Sequence, residues 1–175
     1  MQHPGTAADM IANGIFAVGT CLVPGGEEIK VAEAGEVAGG VRLFKNQFPK
    51  DTPNIANSLR LSPAQFKAFD GRLNYVVTKE GNLIVGKRGA VSEVGHIDLA
   101  EGQPVQAAGE FKIVNGQIKY IDNSSGHYQP SGIVAQRAAA DAFGKLGYDI
   151  GTKYVEKAWV NDPALPRGGA WRICK

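Results

Sequence analysis

The chain has 175 residues, 43% of them hydrophobic and 21% charged, which favours one soluble globular domain with its own core. Its net charge of +2 excludes no class of partner, but residues 42–88 hold nine Lys and Arg against three Asp and Glu. A locally basic segment attracts RNA, a nucleotide or an acidic protein partner, or it is only a solvated face.

Residues 1–41 predict a loosely organised lead-in, with a short helix near residues 6–13, ahead of a folded domain at 42–175. The apolar run IFAVGTCLVP is too short to span a bilayer and follows no cationic segment. We therefore expect neither a membrane span nor a signal peptide. Cys21 and Cys174 lack ligand spacing, so the sequence predicts no metal site and no disulfide framework.

The segment LSPAQFKAFDG at 61–71 predicts a short helix with its capping residues in place. Ser62 can cap the helix, Pro63 suits its first position, Gln65 can complete a capping box, and Gly71 can end it. The following RLNYVVTKEGNLIVGK predicts a β-hairpin that turns at residues 80–82.

A second hairpin, GEFKIVNGQIKYID at 109–122, is fixed by its Asn-Gly dipeptide, which favours a two-residue type I′ turn. The implied pairs are Val114 with Gln117, Ile113 with Ile118, Lys112 with Lys119, Phe111 with Tyr120, and Glu110 with Ile121. Two lysines directly opposite repel each other unless water or an anion intervenes. The hairpin therefore has an apolar face and a charged face.

Residues 131–148 predict a helix that Gly147 can end. Its apolar side is predicted to consist of Val134, Ala138, Ala142, Phe143 and Leu146. Together the elements predict an α+β fold, a compact single domain around a twisted antiparallel β-sheet with flanking helices.

The stretch NSSGHYQP at 123–130 joins the second hairpin to this helix and is unusually rich in polar groups. A turn needs Asn, Gly or Ser, but it does not need the His127–Tyr128 pair. His96 lies just upstream of the hairpin, and Glu110 lies on its charged face. We therefore expect His96, Glu110, His127 and Tyr128 to line one cleft.

Two chemistries suit such a cleft. His96 and His127 could cleave RNA as base and acid, with a lysine stabilising the phosphorane. Alternatively, the set could bind NAD as a substrate: His127 would bond a ribose hydroxyl, Tyr128 would stack on nicotinamide, and Glu110 would stabilise the oxocarbenium-like centre. Asn123 and Ser125 would complete the NAD site, or they serve only as turn and capping groups.

The runs LNYVVTKEGNLIVGK and GHIDLAEGQPVQAAGEFKIVNGQIKYIDNSSGHYQPSG resemble the C-terminal toxin modules of bacterial Rhs-type and other polymorphic toxins. The AAG, NG and SGHYQP elements also resemble part of plant IQ-motif calmodulin-binding proteins. The resemblance covers roughly residues 73–147.

The toxin resemblance implies an antibacterial effector that a specialised secretion system delivers, that acts in the cytoplasm of the target cell and that a cognate immunity protein neutralises. It also implies ADP-ribose transfer from NAD to an RNA or protein target, by a monomer once released. The catalytic acid would be Glu110, with Glu101, Asp98 and Asp122 as alternatives. The other interpretations are a metal-independent RNase toxin using His96 and His127, and a non-enzymatic binding module in which SGHY is a structural corner.

Overall fold

The computed structural model describes residues 20–22, 28–30, 36–38, 40–54, 60–88 and 95–174. In these ranges the strands are β1 Thr20–Leu22, β2 Glu28–Lys30, β3 Glu36–Ala38, β4 Val41–Leu43, β5 Arg60–Leu61, β6 Gly71–Thr78, β7 Leu83–Lys87, β8 Val105–Val114, β9 Gln117–Asp122, β10 Tyr154–Val155, β11 Lys157–Asn161 and β12 Gly169–Ile173. The helices are α1 Pro63–Lys67, α2 His96–Leu99 and α3 Gly132–Gly144, with a 3-10 turn at Gly151–Lys153. The predicted α+β class is confirmed.

The main sheet has six strands in the order β10-β9-β8-β6-β7-β5, and every neighbouring pair is antiparallel except β10 and β9. The core covers both faces of the sheet, since Tyr75 and its neighbour Val76 point to opposite faces and are both fully buried, and α3 packs on the Tyr75 face. There Phe143 lies edge-on to Tyr75 and Phe111, at ring-centroid distances of 5.3 and 5.2 Å. Such aromatic pairs add to the stabilisation from apolar burial alone.

The predicted apolar side of α3 is confirmed at Ala142 and Phe143, whereas Val134 and Ala138 are only partly buried. The buried residues of the helix are Ala135, Ala139, Ala142 and Phe143, whereas Leu146 is 40% exposed. The helix ends at Gly144, and Gly147 lies beyond it with φ of 84°. Alanines face the sheet because their small side chains allow the helix to approach it closely.

The first hairpin and the helix before it form as predicted. Ser62 Oγ accepts a hydrogen bond from the backbone amide of Gln65, and Gln65 Oε1 accepts one from the backbone amide of Ser62. Helix α1 nevertheless ends at Lys67, and Gly71 opens β6 with φ of 145° instead of closing the helix. The β6–β7 turn at 79–82 is where the sequence places it.

The Asn-Gly turn of the second hairpin is confirmed, since Asn115 and Gly116 both have positive φ, 52° and 70°. The first two predicted pairs, which begin with Val114 and Ile113, are also confirmed. The register then shifts by one residue at a bulge, so that Lys112 pairs with Tyr120 instead of Lys119. The predicted lysine pair is therefore wrong.

The N-terminal segment contributes two small hairpins, β1–β2 and β3–β4. The second spans the predicted boundary between residues 41 and 42. A disulfide joins Cys21 to Cys174, 153 positions apart, with Cα atoms at 5.1 Å. The helix predicted at 6–13 lies outside the described residues. No helix in the described ranges is long and apolar enough to cross a membrane.

Candidate functional site

The polar stretch after β9 forms a buried corner, which we define as residues 123–131. Its central residue is Asn123, only 1% exposed. The Asn123 amide donates to the carbonyl oxygens of Pro130 (2.8 Å) and Lys157 (2.9 Å). Its oxygen accepts from the backbone amide of Lys157 at 2.8 Å. Asn123 therefore fastens the corner to β11.

Asp122, fully buried at the end of β9, completes this framework. Its carboxylate accepts from the amides of Glu110 (3.1 Å) and Ser124 (2.9 Å) and forms an ion pair of 2.5 Å with Lys157 Nζ. The Tyr75 hydroxyl donates to the Asp122 carbonyl oxygen at 2.9 Å. A buried charge held by this many donors is a structural anchor, since leaving it unpaired would cost several kcal/mol.

Glu156 ties the corner to the start of α3. Its Oε1 accepts from the amide of Gly132 at 2.9 Å and lies 3.3 Å from the Asn123 amide nitrogen. Burial raises the pKa of Glu156, and the bond from Gly132 partly opposes that shift. The carboxylate thus satisfies a helix N-terminal amide that has no partner within the helix.

Tyr128 is a core residue of the corner. It is 0% exposed, and its hydroxyl has no hydrogen-bond partner among the described residues. Burial, followed by the charge of Asp98, raises the pKa of Tyr128 to about 12. Ser125, 1% exposed, orients its Oγ toward the Tyr128 amide at 3.4 Å.

His127 lies at the surface of the corner and contacts residues 47–51. Its backbone carbonyl accepts from the Gln47 amide at 2.7 Å. Its Nε2 lies 3.1 Å from Asp51 Oδ2, and its ring lies edge-on to Phe48 at 5.7 Å. The backbone bond and the ring contacts both hold the segment before the main sheet against the corner.

His96 begins α2 and is buried, with 7% exposure. Its Nε2 lies 2.8 Å from the carbonyl oxygen of Gly109, so this nitrogen carries the proton and donates it. Burial lowers the pKa of His96 to about 4, against a smaller opposing effect of that bond. The imidazole is therefore neutral at pH 7, and its one N–H is used in the hydrogen bond to the Gly109 carbonyl.

Glu110 lies on the sheet face opposite the α3 core, and its side chain is 17% exposed. Its Oε1 is 3.5 Å from Arg88 Nε. Burial raises the pKa of Glu110, and the Arg88 charge partly lowers it again. Of the other proposed acids, Asp98 accepts from the Asn54 and Gly95 amides, while Glu101 pairs with Arg60.

The predicted residues are neighbours, but they do not line a cleft together. Asn123, Ser125 and Tyr128, predicted to bind NAD, are each at most 1% exposed, so a ligand cannot reach their side chains in this conformation. A cavity of about 600 Å³ lies instead between the β6–β7 turn and α3, and none of the six predicted site residues lines it. No described group of His, Cys, Asp and Glu side chains is arranged to hold a metal ion.

The sheet face around Glu110 carries a feature that the sequence analysis missed. We define the basic face as Arg72, Arg88, Lys112, Tyr120 and Lys157. Arg72 lies directly opposite Lys112, and Lys112 lies opposite Tyr120 across the next strand. The Arg72 guanidinium and Lys157 Nζ are each 5.9 Å from the Tyr120 ring centroid. The net charge of residues 42–88 signalled the basic character, but not which side chains converge.

A comparison with known protein families found a similar domain. The model of the IQ motif-containing protein middle domain matches residues 63–133, 71 of the 175 residues of this chain. No curated protein and no solved structure matches. The matched range contains the AAG, NG and SGHYQP elements, so the family model agrees with the resemblance to part of the IQ-motif proteins.

The interpretation as an Rhs-type toxin is wrong, because the matching family is not a toxin family and no toxin family was found. The antibacterial ADP-ribosyltransferase function and the immunity protein were inferred from that resemblance. The predicted function is therefore wrong as well, and nothing now supports an immunity protein as a partner. Enzymatic activity as such, NAD as a substrate and the predicted localisation stay predictions that nothing here tests.

Proposed function

We propose that the chain is a binding module whose basic face recognises an acidic segment of a partner protein. The observation that carries this proposal is the direct pairing of Arg72 with Lys112 across two strands. Like charges directly opposite each other destabilise an antiparallel sheet. An anionic ligand between the two cations would remove that repulsion.

The charges of the basic face support a partner with carboxylates. Lys157 and Arg88 already pair with Asp122 and Glu110. Arg72 and Lys112, both exposed, form no ion pair with any carboxylate in the described chain. The Arg72 charge acts on Glu110, lowering its pKa, and its guanidinium lies over Tyr120, so Lys112 is the less engaged of the two cations and the first contact for an incoming acidic group.

Tyr120 argues for an acidic protein segment over single-stranded RNA. Proteins that bind single strands without sequence preference stack bases on free aromatic rings. The Tyr120 ring is half-buried and already has two cations against it. Its ring is thus engaged within the protein, whereas the surrounding cations can still attract carboxylates.

The buried corner supports this surface without forming it. Asn123 holds the backbone of Lys157, and Asp122 holds its ammonium group. The polar residues that resemble an active site thus fix one edge of the basic face. A structural role of this kind accounts for the concentration of buried hydrogen-bonding groups in the corner.

The test is a fluorescence anisotropy titration of the purified domain against a labelled peptide rich in Asp and Glu. We expect saturable binding that weakens as salt rises, because exposed charges are screened. The double substitution Arg72→Glu and Lys112→Glu should reduce affinity at least about tenfold, the equivalent of 1.4 kcal/mol.

The matched control is Arg137→Glu with Lys153→Glu, which changes the net charge equally at exposed positions outside the basic face. It should leave affinity within about twofold, as expected for screened distant charges. Equal losses in both double variants would mean non-specific attraction and would refute the proposal. Tighter binding of single-stranded RNA, lost in the same first variant, would replace the protein partner with RNA.

A further inference from the structure

The C-terminal hairpin of β11 and β12 has two unlike faces. In its register Ala158 lies opposite Arg172, Trp159 opposite Trp171, and Val160 opposite Ala170. Because successive residues of a strand point to opposite faces, Ala158 and Val160 share one face and the two tryptophans share the other.

The first face is covered within the chain. Ala158 is 5% exposed and forms a small cluster with Cys21, against which Val160 and Cys174 pack. The Cys21–Cys174 disulfide closes this cluster. Among the described residues, this face therefore holds the hairpin to the N-terminal segment.

The second face carries an aromatic pair and an exposed aliphatic side chain. The rings of Trp159 and Trp171 lie edge to face at 5.7 Å, and both are partly exposed. Ile173, on the same face, is 55% exposed. We define Trp159, Trp171 and Ile173 as the Trp strip. Large aromatic side chains of this kind dominate the binding energy of protein interfaces.

The Trp strip is continuous with the basic face. Lys157 lies opposite Ile173 and two residues before Trp159, on the same side of β11. Its ammonium group reaches the Tyr120 ring and Asp122. One surface therefore runs from Arg72 and Lys112, across Tyr120 and Lys157, to the indoles.

We propose that the partner's acidic segment also carries a large apolar side chain, which packs on the Trp strip. This rests on the proposed function and specifies its ligand. Arg72 and Lys157 each have their charged group 5.9 Å from the Tyr120 ring centroid, so the two charges are at most about 12 Å apart, and Trp159 lies two residues, roughly 7 Å, further along β11. The apolar residue therefore lies within about five positions of the acidic group in an extended peptide. Charge complementarity fixes the register, and the indoles bind the apolar residue.

The experiment uses intrinsic fluorescence, because the chain has only two tryptophans and both belong to the strip. Two acidic peptides are compared, identical except that one has Leu and the other Ser four positions from the acidic cluster. The Leu peptide should bind at least about fivefold more tightly, as burial of an apolar side chain predicts, and should shift the emission to shorter wavelength. The Ser peptide should do neither.

Two variants keep the test decisive. Trp171→Ala should abolish the preference for Leu, and Ile173→Ser should reduce it in a hairpin that keeps both indoles. If both peptides bind equally, depend on Arg72 and Lys112, and leave the emission unchanged, this inference is overturned while the proposed function stands. If neither peptide binds, both are overturned.

Discussion

Replacing Asn123 by alanine should destabilise the domain, because it removes three buried or partly buried hydrogen bonds at once. The Asn123 side chain satisfies the carbonyl oxygens of Pro130 and Lys157 and the amide of Lys157, at 2.8–2.9 Å. A buried polar group left without its partner costs about 1–3 kcal/mol, and the two bonds to Lys157 are only part-buried. We therefore expect a total loss of about 3–4 kcal/mol.

The assay is urea unfolding followed by far-UV circular dichroism, with linear extrapolation to water. Asn123→Asp should be at least as damaging, because it replaces the amide donor with an oxygen that faces two carbonyls. Hydrogen exchange should show that the Lys157 amide loses protection. Asn82→Ala, in an exposed turn, is the control and should change stability by less than about 0.5 kcal/mol. A loss below about 1 kcal/mol for Asn123→Ala would refute the structural role of the corner.

Four further changes probe the same framework. Tyr128→Phe should be neutral or stabilising, since the buried hydroxyl has no described partner, whereas Tyr128→Ala should cost about 3–5 kcal/mol; equal losses in a thermal melt would contradict this. The pKa of His96 is about 4 in the folded chain, below its value of 6.5 in the unfolded chain. Between these two pH values the unfolded chain binds one more proton than the folded chain, so the free energy of unfolding decreases by about 3 kcal/mol as the pH falls from 6.5 to 4. His96→Gln should remove this decrease. Because the raised pKa of Glu110 makes stability increase as the pH falls, the effect of His96 is measured as the difference between the stability–pH profiles of the variant and the unsubstituted chain. Gly109→Ala should prevent folding or cost more than about 3 kcal/mol, because its Cβ would overlap the Asp122 carbonyl oxygen; a native circular dichroism spectrum with unchanged stability would contradict it. Cys21→Ser should lower the free energy of unfolding by up to about 5 kcal/mol in the chain-entropy model for a loop of 153 positions. A reducing agent should lower the stability of the unsubstituted chain by the same amount and should leave that of the variant unchanged.

Local chemistry made several elements predictable from sequence. The helix cap around Pro63 and the Asn115-Gly116 turn each need specific residue types, and those residues alone determine the local backbone conformation. Both therefore form where the sequence places them. The α+β class follows from the order of these elements.

Other features depend on packing across the fold. The bulge next to Ile113 changes the partner of Lys112, and nothing in the Asn-Gly turn specifies it. The buried side of α3 depends on how closely the sheet approaches, which favours Ala135 and Ala139 over larger side chains. The pairing of Cys21 with Cys174 likewise requires the positions of both chain ends.

The polar stretch at 123–130 shows why sequence alone does not identify a site. A cluster of Asn, Ser, His and Tyr is compatible with catalysis and equally with a buried corner, because both need many hydrogen-bonding groups. The distinction lies in what these groups bond to: Asn123 and Asp122 bond mainly to backbone amides and carbonyls. Sequence spacing carries no information about those distant partners.

The most direct test of the account is an NMR titration of the isotopically labelled domain with an acidic peptide, recording amide chemical shifts residue by residue. We predict saturable shifts centred on Arg72, Lys112 and Tyr120, while His127 and Tyr128 stay unchanged. Shifts centred on residues 123–130 would contradict the account, because they would make the corner a binding site and the basic face a solvated surface.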